Sequence, residues 1–433
     1  HGGADGRGAR VTGLAVIRLA LRSLWARRMT ALLTVLSIAT AVLLFAAVES
    51  IRQGARAGFE RTITDTDLIV GARSSPINLV LYSVFQIGDP TNNVTWRTYE
   101  EIAARPDVGW TVPISLGDSH RGYRVVGTTP AFFEHYRYGN SQEIGLADGA
   151  AFDDLFDVML GAQVARELEY GVGTTLTLSH GLGATSFVNH DDKPFRVVGV
   201  LEPTGTPVDR SLYVSLGAIE AIHMGWQDGT PTPMSRLATP ERLRQMELRP
   251  ESITAILVGA RSRVQTLRLQ RALNTYASEP LQAVIPGVAL SQLWNIVSVV
   301  ERALAAIAGF VVAVGLIGIL TSILTSLNER RREMAILRSV GAKGRHIVAL
   351  LVSEAALLAL IGASLGIALL YGGLALFRPV LEARINMGGI SFVPTLYDLG
   401  VVAAVTGVAA LLGLVPALLA LRRSLADGLS IRF

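Results

Sequence analysis

An uninterrupted uncharged run, 303–327, decides most of what this chain can become. A helix of that length rises ~1.5 Å per residue and crosses the ~30 Å hydrocarbon layer of a bilayer. Three further runs are comparably apolar: 29–48, 347–377 (broken only by Glu354) and 399–421. Half the residues are apolar and only 17% are charged, which is the composition of a membrane protein. The expected fold is an α-helical membrane protein with four transmembrane helices and one large intervening domain, 49–302. The first run follows Arg22, Arg27 and Arg28 and exceeds the ~7–15 residues of a signal-peptide core, so it reads as an uncleaved anchor.

Orientation follows from the cations bordering the runs. The segment 1–28 carries Arg7, Arg10, Arg18, Arg22, Arg27 and Arg28, and the loop 328–346 carries Arg330, Arg331, Arg332, Arg338, Lys343 and Arg345. Arg422 and Arg423 open the tail 422–433, whereas the loop 378–398 holds only Arg378 and Arg384. Both ends and the central loop are therefore expected in the cytosol, with 49–302 and 378–398 outside. The net charge of +4 sits at membrane borders and not on a soluble stripe, which argues against nucleic acid as a partner. With no cysteine, the chain has no disulfide, thiolate metal site or cysteine nucleophile.

The exported segment reads as mixed α/β. Ile51, Ala55 and Phe59 after the first run, and Leu290, Leu293, Val297 and Val300 before the second, keep helical spacing, so both spans are expected to project as a stalk. Two buried strands, 67–71 and 253–259, end alike, in LIVGAR and ILVGAR. Each leads to a helical stretch, 98–105 and 264–276, as two equivalent half-lobes would. An inserted lobe is expected over about 150–226, with a helix at 163–169 and strands at 174–178 and 195–201. The polar, proline-containing stretch 227–240 reads as a linker or an exposed loop. His180, His190, Asp191 and Asp192 sit near glycines in a predicted hairpin and read as a solvated turn, not a metal site.

The central loop has an ordered pattern. On a helix over 329–340, Met334, Ile336, Leu337 and Val340 fall on one side, and Arg331, Arg332, Arg338 and Ser339 on the other. Gly341 then stands where helices commonly end in a left-handed cap. The stretch 329–343, ERRREMAILRSVGAK, together with the plan of one span, an exported domain and three more spans, resembles the FtsX/MacB-like permeases. These are the membrane subunits of type VII, or mechanotransmission, ABC transporters.

The resemblance implies a coupling helix that docks a cytosolic ABC ATPase subunit through Glu329, Arg331, Arg332, Glu333, Ile336, Leu337, Arg338, Gly341 and Ala342. It implies a porter-like exported lobe split by an inserted lobe, a second permease copy or paralogue, a periplasmic adaptor or hydrolase, and contact with membrane lipids of the bacterial inner membrane. It also implies a separate permease without a fused ATPase. Neither Lys193 nor Lys343 lies in a G-x-x-x-x-G-K-[ST] phosphate loop, so no cofactor is expected on these residues and ATP and Mg²⁺ belong to the partner. No catalytic group stands out. The implied function is export or extraction of a lipid, lipoprotein, peptide or hydrophobic compound from the outer side. The alternatives are an FtsX-like regulator of a cell-wall hydrolase or signalling partner, and a receptor with no ATPase.

Four residues are candidates for the transmembrane interface. Glu354 is the one acid inside a span and reads either as a bundle contact or as a carboxylate reaching headgroups. Gly362 and Gly366 form G-x-x-x-G, and Gly315 lies in the second span, where small residues permit close helix approach. The apolar stretch 77–87, with Leu79, Leu81, Tyr82 and Phe85, reads either as core or as a hydrophobic segment that meets a substrate or partner.

Overall fold

The structure, a computed structural model, describes residues 20–25, 27–180, 193–224, 226–227, 230–231, 239–329, 334, 336, 338–339, 342–385 and 393–426. The chain divides into two compact units: His1–Gly54 with Val299–Val380 and Ile390–Phe433, and Ala55–Ser298 with Leu381–Gly389. A single 33-residue helix, α1, spans Arg28–Glu60.

In the second unit β1 (Leu68–Ala72) is followed by α2 (Pro76–Ser83), α3 (Trp96–Ala103) and β2 (Val108–His120). Beyond β2 come β3 (Tyr123–Thr128), α4 (Ala131–His135), β4 (Leu146–Gly149), β5 (Asp157–Leu160), α5 (Ala162–Leu168), β6 (Phe195–Leu201), β7 (Ser211–Ser215) and α6 (Leu216–His223). The chain returns through β8 (Ala255–Ala260), α7 (Thr266–Asn274) and β9 (Leu281–Val284).

Four strands, in the order β9-β1-β8-β2, make the first lobe. β1 and β8 pair antiparallel with Leu68 opposite Val258 and Gly71 opposite Ala255. The units β1–α3–β2 and β8–α7–β9 thus interleave, each strand pair split by a strand of the other, which is the split βαβ arrangement. This explains the twin LIVGAR and ILVGAR endings. A Cβ on Gly71 would lie 2.7 Å from Leu79 Cδ1, and one on Gly259 would lie 2.0 Å from the Trp110 indole nitrogen. Each glycine lets a large side chain rest directly on the sheet. Pleating sends Leu68 and Val70 to one face with Ile102, Leu269 and Leu273, and Ile69 to the other with Leu79, Val112 and Leu257. Both faces are covered, so β1 is buried throughout.

The second lobe begins earlier than 150. β2 runs for 13 residues, shifts register between Leu116 and Ser119, and carries the sheet on through β3, β7, β5, β6 and β4. A bulge of this kind bends a strand without ending it, so one strand serves both lobes and composition shows no boundary there. The inserted lobe therefore includes β3 and α4. Val125, Val158, Val164, Phe195, Leu212 and Ile222 form its own core, while Val126, Met159 and Tyr213 on the opposite face join the core shared with α2.

In the first unit α1 packs with α8 (Pro286–Glu329), α9 (Gly344–Ile385) and α10 (Leu396–Ala426), each long and apolar enough to span a membrane. The four spans and the mixed α/β domain are the fold class expected. Ile38, Val42, Leu316, Ile319, Leu351, Ala355, Ala363 and Ala409 are among the residues of the bundle core.

Candidate functional site

The connection between α8 and α9 is a candidate because of what those two helices grip. A Cβ on Gly362 would lie 2.8 Å from Ile38 Cβ and 3.1 Å from Val35 O, and one on Gly366 would lie 2.6 Å from Ala39 O. α9 therefore crosses α1 at a spacing that only glycine allows. From α8, Gly315 faces α1 at an ordinary contact distance, 3.5 Å to Ala41 Cβ. Both helices joined by this connection rest on α1. Glu354 is 5% exposed, so it is held inside the bundle and does not reach out to the surface.

Within the connection, Met334, Ile336, Arg338 and Ser339 are helical, and Ser339 Oγ donates to the Ile336 carbonyl at 2.8 Å. Met334 and Ile336, at opposite edges of the expected apolar arc, part company. Met334 packs against the bundle core, whereas Ile336 is 62% exposed. Arg338 and Ser339 are exposed. Glu329 is the last residue of α8, Ala342 is half-buried, and the Lys343 N–H donates to His346 Nδ1 at 3.1 Å in the first turn of α9. Arg331, Arg332, Glu333, Leu337 and Gly341 lie outside the described residues.

A polar set at the other end of these helices escaped the sequence reading. Arg52 donates to both carboxylate oxygens of Glu49, at 2.8 and 2.6 Å, and lies 3.7 Å from Glu301 on α8. The Tyr371 hydroxyl of α9 donates to Asp398 at 2.7 Å, and Asp398 also accepts from the Thr395 N–H and hydroxyl. These pairs tie α1 to α8 and α9 to α10. The available signal was Thr395-x-x-Asp398, a capping pattern at a helix start.

Of the apolar stretch 77–87, the four candidate residues belong to the core, while Ile87 at its end is exposed. Leu79, Tyr82 and Phe85 are 0, 3 and 8% exposed, and Leu81 packs against the same cluster. α2 lies on β1 over Gly71, and its apolar residues join the cluster that holds Val112, Met159, Tyr213, Ala289 and Leu290, with Phe59 packed against it. Among the described residues no cluster suited to a metal occurs; His190, Asp191 and Asp192 lie outside them.

The pKa values of two histidines of the second lobe are shifted in opposite directions. Burial pulls His223 down, but Asp118, 3.5 Å from its Nε2, and the charge of Glu220 outweigh this and leave its pKa raised. His120 is lowered, chiefly by burial and further by Arg121, against a hydrogen bond to the Thr177 carbonyl. The contribution of His223 is complete below the unfolded value of about 6.5 and is lost as pH rises through its folded pKa. That of His120 is complete above about 6.5 and is lost as pH falls through its folded pKa. The unfolding temperature of the lobe is therefore expected to fall on both sides of mildly acidic pH. His223→Gln should flatten the alkaline limb and His120→Gln the acid limb, in thermal melts of the full chain. Unaltered limbs in both variants would disprove the assignment.

Two families match this chain: the MacB-like periplasmic core domain over residues 30–276 and the FtsX-like permease C-terminal over 305–427. The macrolide export ATP-binding/permease protein MacB of Bordetella avium is 25% identical over 376 residues, which cover 82% of this chain and 52% of that protein. The chain thus spans about half the length of that relative. The ABC transporter permease YknZ of Bacillus subtilis is 32% identical over 104 residues, 23% of this chain and 26% of that one. The crystal structure of the periplasmic region of MacB from Actinobacillus actinomycetemcomitans aligns at 13% identity and a TM-score of 0.34, covering 54% of this chain and 95% of that one.

Proposed function

This chain belongs to the family that joins a MacB-like periplasmic core domain to an FtsX-like permease C-terminus, and on that premise we propose that it works as the permease part of an ABC transporter in the bacterial inner membrane. A cytosolic ABC ATPase subunit, holding ATP and Mg²⁺, docks on 328–346. Closure of the ATPases on ATP pushes this segment, and α8 and α9 pass the push to α1. The exported domain then moves a lipid, lipoprotein, peptide or hydrophobic compound from the outer side of the membrane.

The observation that carries this reading is the grip of α8 and α9 on α1, combined with an exposed Ile336 on the segment joining them. A partner that moves the segment has something apolar to hold and a rigid train to move. The unit acts as a dimer. Supporting this, α8 is the least enclosed of the spans, with 17% of its apolar window buried, and it leaves Ile307, Phe310 and Val314 exposed along one stripe.

Replacing Ile336 with glutamate, alone and with Leu337→Glu, tests the docking. A charge in a desolvated apolar contact should lower permease-dependent stimulation of the ATPase by about tenfold or more. Unfolding of the permease should be unchanged in Ile336→Glu, because Ile336 is 62% exposed. Full stimulation in the double variant would defeat the proposal.

A further inference from the structure

The helix α1 does not simply run into the first lobe; its end is fastened to the second. Beyond Glu60 the chain makes three hydrogen bonds to the segment that follows α4. The Gly139 N–H donates to the Arg61 carbonyl at 2.8 Å, the Tyr136 hydroxyl to the Thr62 carbonyl at 2.7 Å, and the Thr64 N–H to the Arg137 carbonyl at 2.8 Å. Thr64 and Arg137 form an antiparallel bridge, and Tyr136 is 3% exposed. The clasp is built from a tight local geometry. Gly139 has φ +60° and Asp65 has φ +56°, the left-handed region that glycine enters freely and aspartate tolerates.

The start of α8 is attached differently. β9, an edge strand of the first lobe paired with β1, ends at Val284, and α8 begins at Pro286 with Ile285 alone between them. Ala289 and Leu290 are then buried in the shared core. One long helix is thus clasped to the second lobe and the other is continuous with the first. Where they come together, Phe59 packs against Phe85 at 4.6 Å between ring centroids and edge-on to Trp294 at 5.6 Å. This aromatic contact is apolar and non-directional, so it resists separation of the helices more than it resists sliding. The hydrogen bonds of the clasp are directional and resist sliding at the attachment itself.

We propose that Tyr136, Arg137 and Gly139 form the clasp through which α1 displaces the second lobe relative to the first, with the Phe59–Trp294 contact as its pivot. This rests on the reading above, that the membrane helices are driven by a cytosolic ATPase. Tyr136, buried at 3% exposure, is a positioning residue, and it acts by keeping the second lobe attached to α1.

The test measures movement and not stability. Because the chain has no cysteine, cysteines at Leu267 in α7 and Val172 in the second lobe, both exposed, give one spin-labelled pair per chain reporting on the two lobes, and mixing labelled with excess unlabelled chain keeps the distance within one copy. The full chain is studied in lipid nanodiscs with the ATPase that co-purifies with it, before and after trapping with ATP and vanadate. Trapping should change the label distance in the otherwise unaltered chain. Tyr136→Phe, which keeps the ring packed on Phe132 and removes one bond, should shrink the change. Gly139→Pro, which removes a donor and the left-handed conformation, should abolish it. ATP turnover and the resting distance should stay as they were in Tyr136→Phe, whether or not Gly139→Pro folds well. A distance change that survives in full in Tyr136→Phe and in any folded Gly139→Pro overturns the clasp and leaves the driven motion standing. Absence of an ATPase, or of any change in the unaltered chain, overturns both.

Discussion

Gly366→Val is expected to strip the permease of its response to the ATPase and to lower its unfolding temperature in micelles, while Gly372→Val in the same helix does neither. A Cβ on Gly366 would lie 2.6 Å from the Ala39 carbonyl oxygen and 3.1 Å from the Leu43 nitrogen, both main-chain atoms of α1. Main chain in a helix cannot swing aside as a flexible side chain can, so α9 and α1 must move apart. Overpacking of this kind typically costs about 1–3 kcal/mol. Parting the helices also forfeits dispersion contacts along the crossing, Gly362 against Ile38 included. Gly372 has nothing within 4 Å of its Cβ position, so a valine there meets open space. The pair shares helix, residue type and change in propensity, and differs only in the neighbour. If Gly366→Val behaved like Gly372→Val, α9 would not be pressed on α1 and the transmission argued above would lose its middle link.

The membrane part was legible because its signal is long and one-dimensional. Runs such as 303–327 need no partner to be read, and in the structure they are helices that extend past the apolar runs, to Glu60 for α1 and back to Pro286 for α8. The glycines at 362 and 366 were legible as small residues but not as a crossing, since spacing does not say which helix comes close. In the exported domain the twin endings at Gly71 and Gly259 pointed to a repeat, and β1 and β8 prove to be adjacent antiparallel strands of it. The start of the second lobe was hidden because β2 is one strand doing duty for two lobes, and only the register shift near Gly117 marks the passage. The clasp was hidden for another reason. Two of its three bonds join main chain to main chain, which leaves no side-chain pattern to read, and the third depends on a tyrosine whose partner lies 74 residues away. Tyr371 and Asp398 met the same obstacle, a bond across 27 residues between two apolar runs.

Leu79→Ala should destabilise the exported domain by about 2–5 kcal/mol, the range for deleting a fully buried leucine side chain. The stretch around it is apolar enough to pass for a ligand-seeking arm, and the two readings diverge sharply on this residue. Leu79 is fully buried, lies over Gly71, and belongs to a cluster with Ile69, Phe85, Val112 and Leu257. Truncation leaves a cavity bounded by a sheet on one side and a helix on the other, neither of which can collapse freely into it. Leu267, 67% exposed on α7, serves as the comparison; Leu267→Ala should stay within about 0.5 kcal/mol of the unaltered chain. Tryptophan-monitored denaturation of the full chain measures both. An arm for hydrophobic ligands would give the reverse at Leu79: unchanged unfolding and weakened uptake of an apolar probe. The core reading also matters for transmission, because Phe85, in the same cluster, is the ring against which the end of α1 packs at 4.6 Å. A loosened α2 would slacken the pivot as well as the fold, so Leu79→Ala should also reduce the trapped-state distance change between the labels at positions 267 and 172.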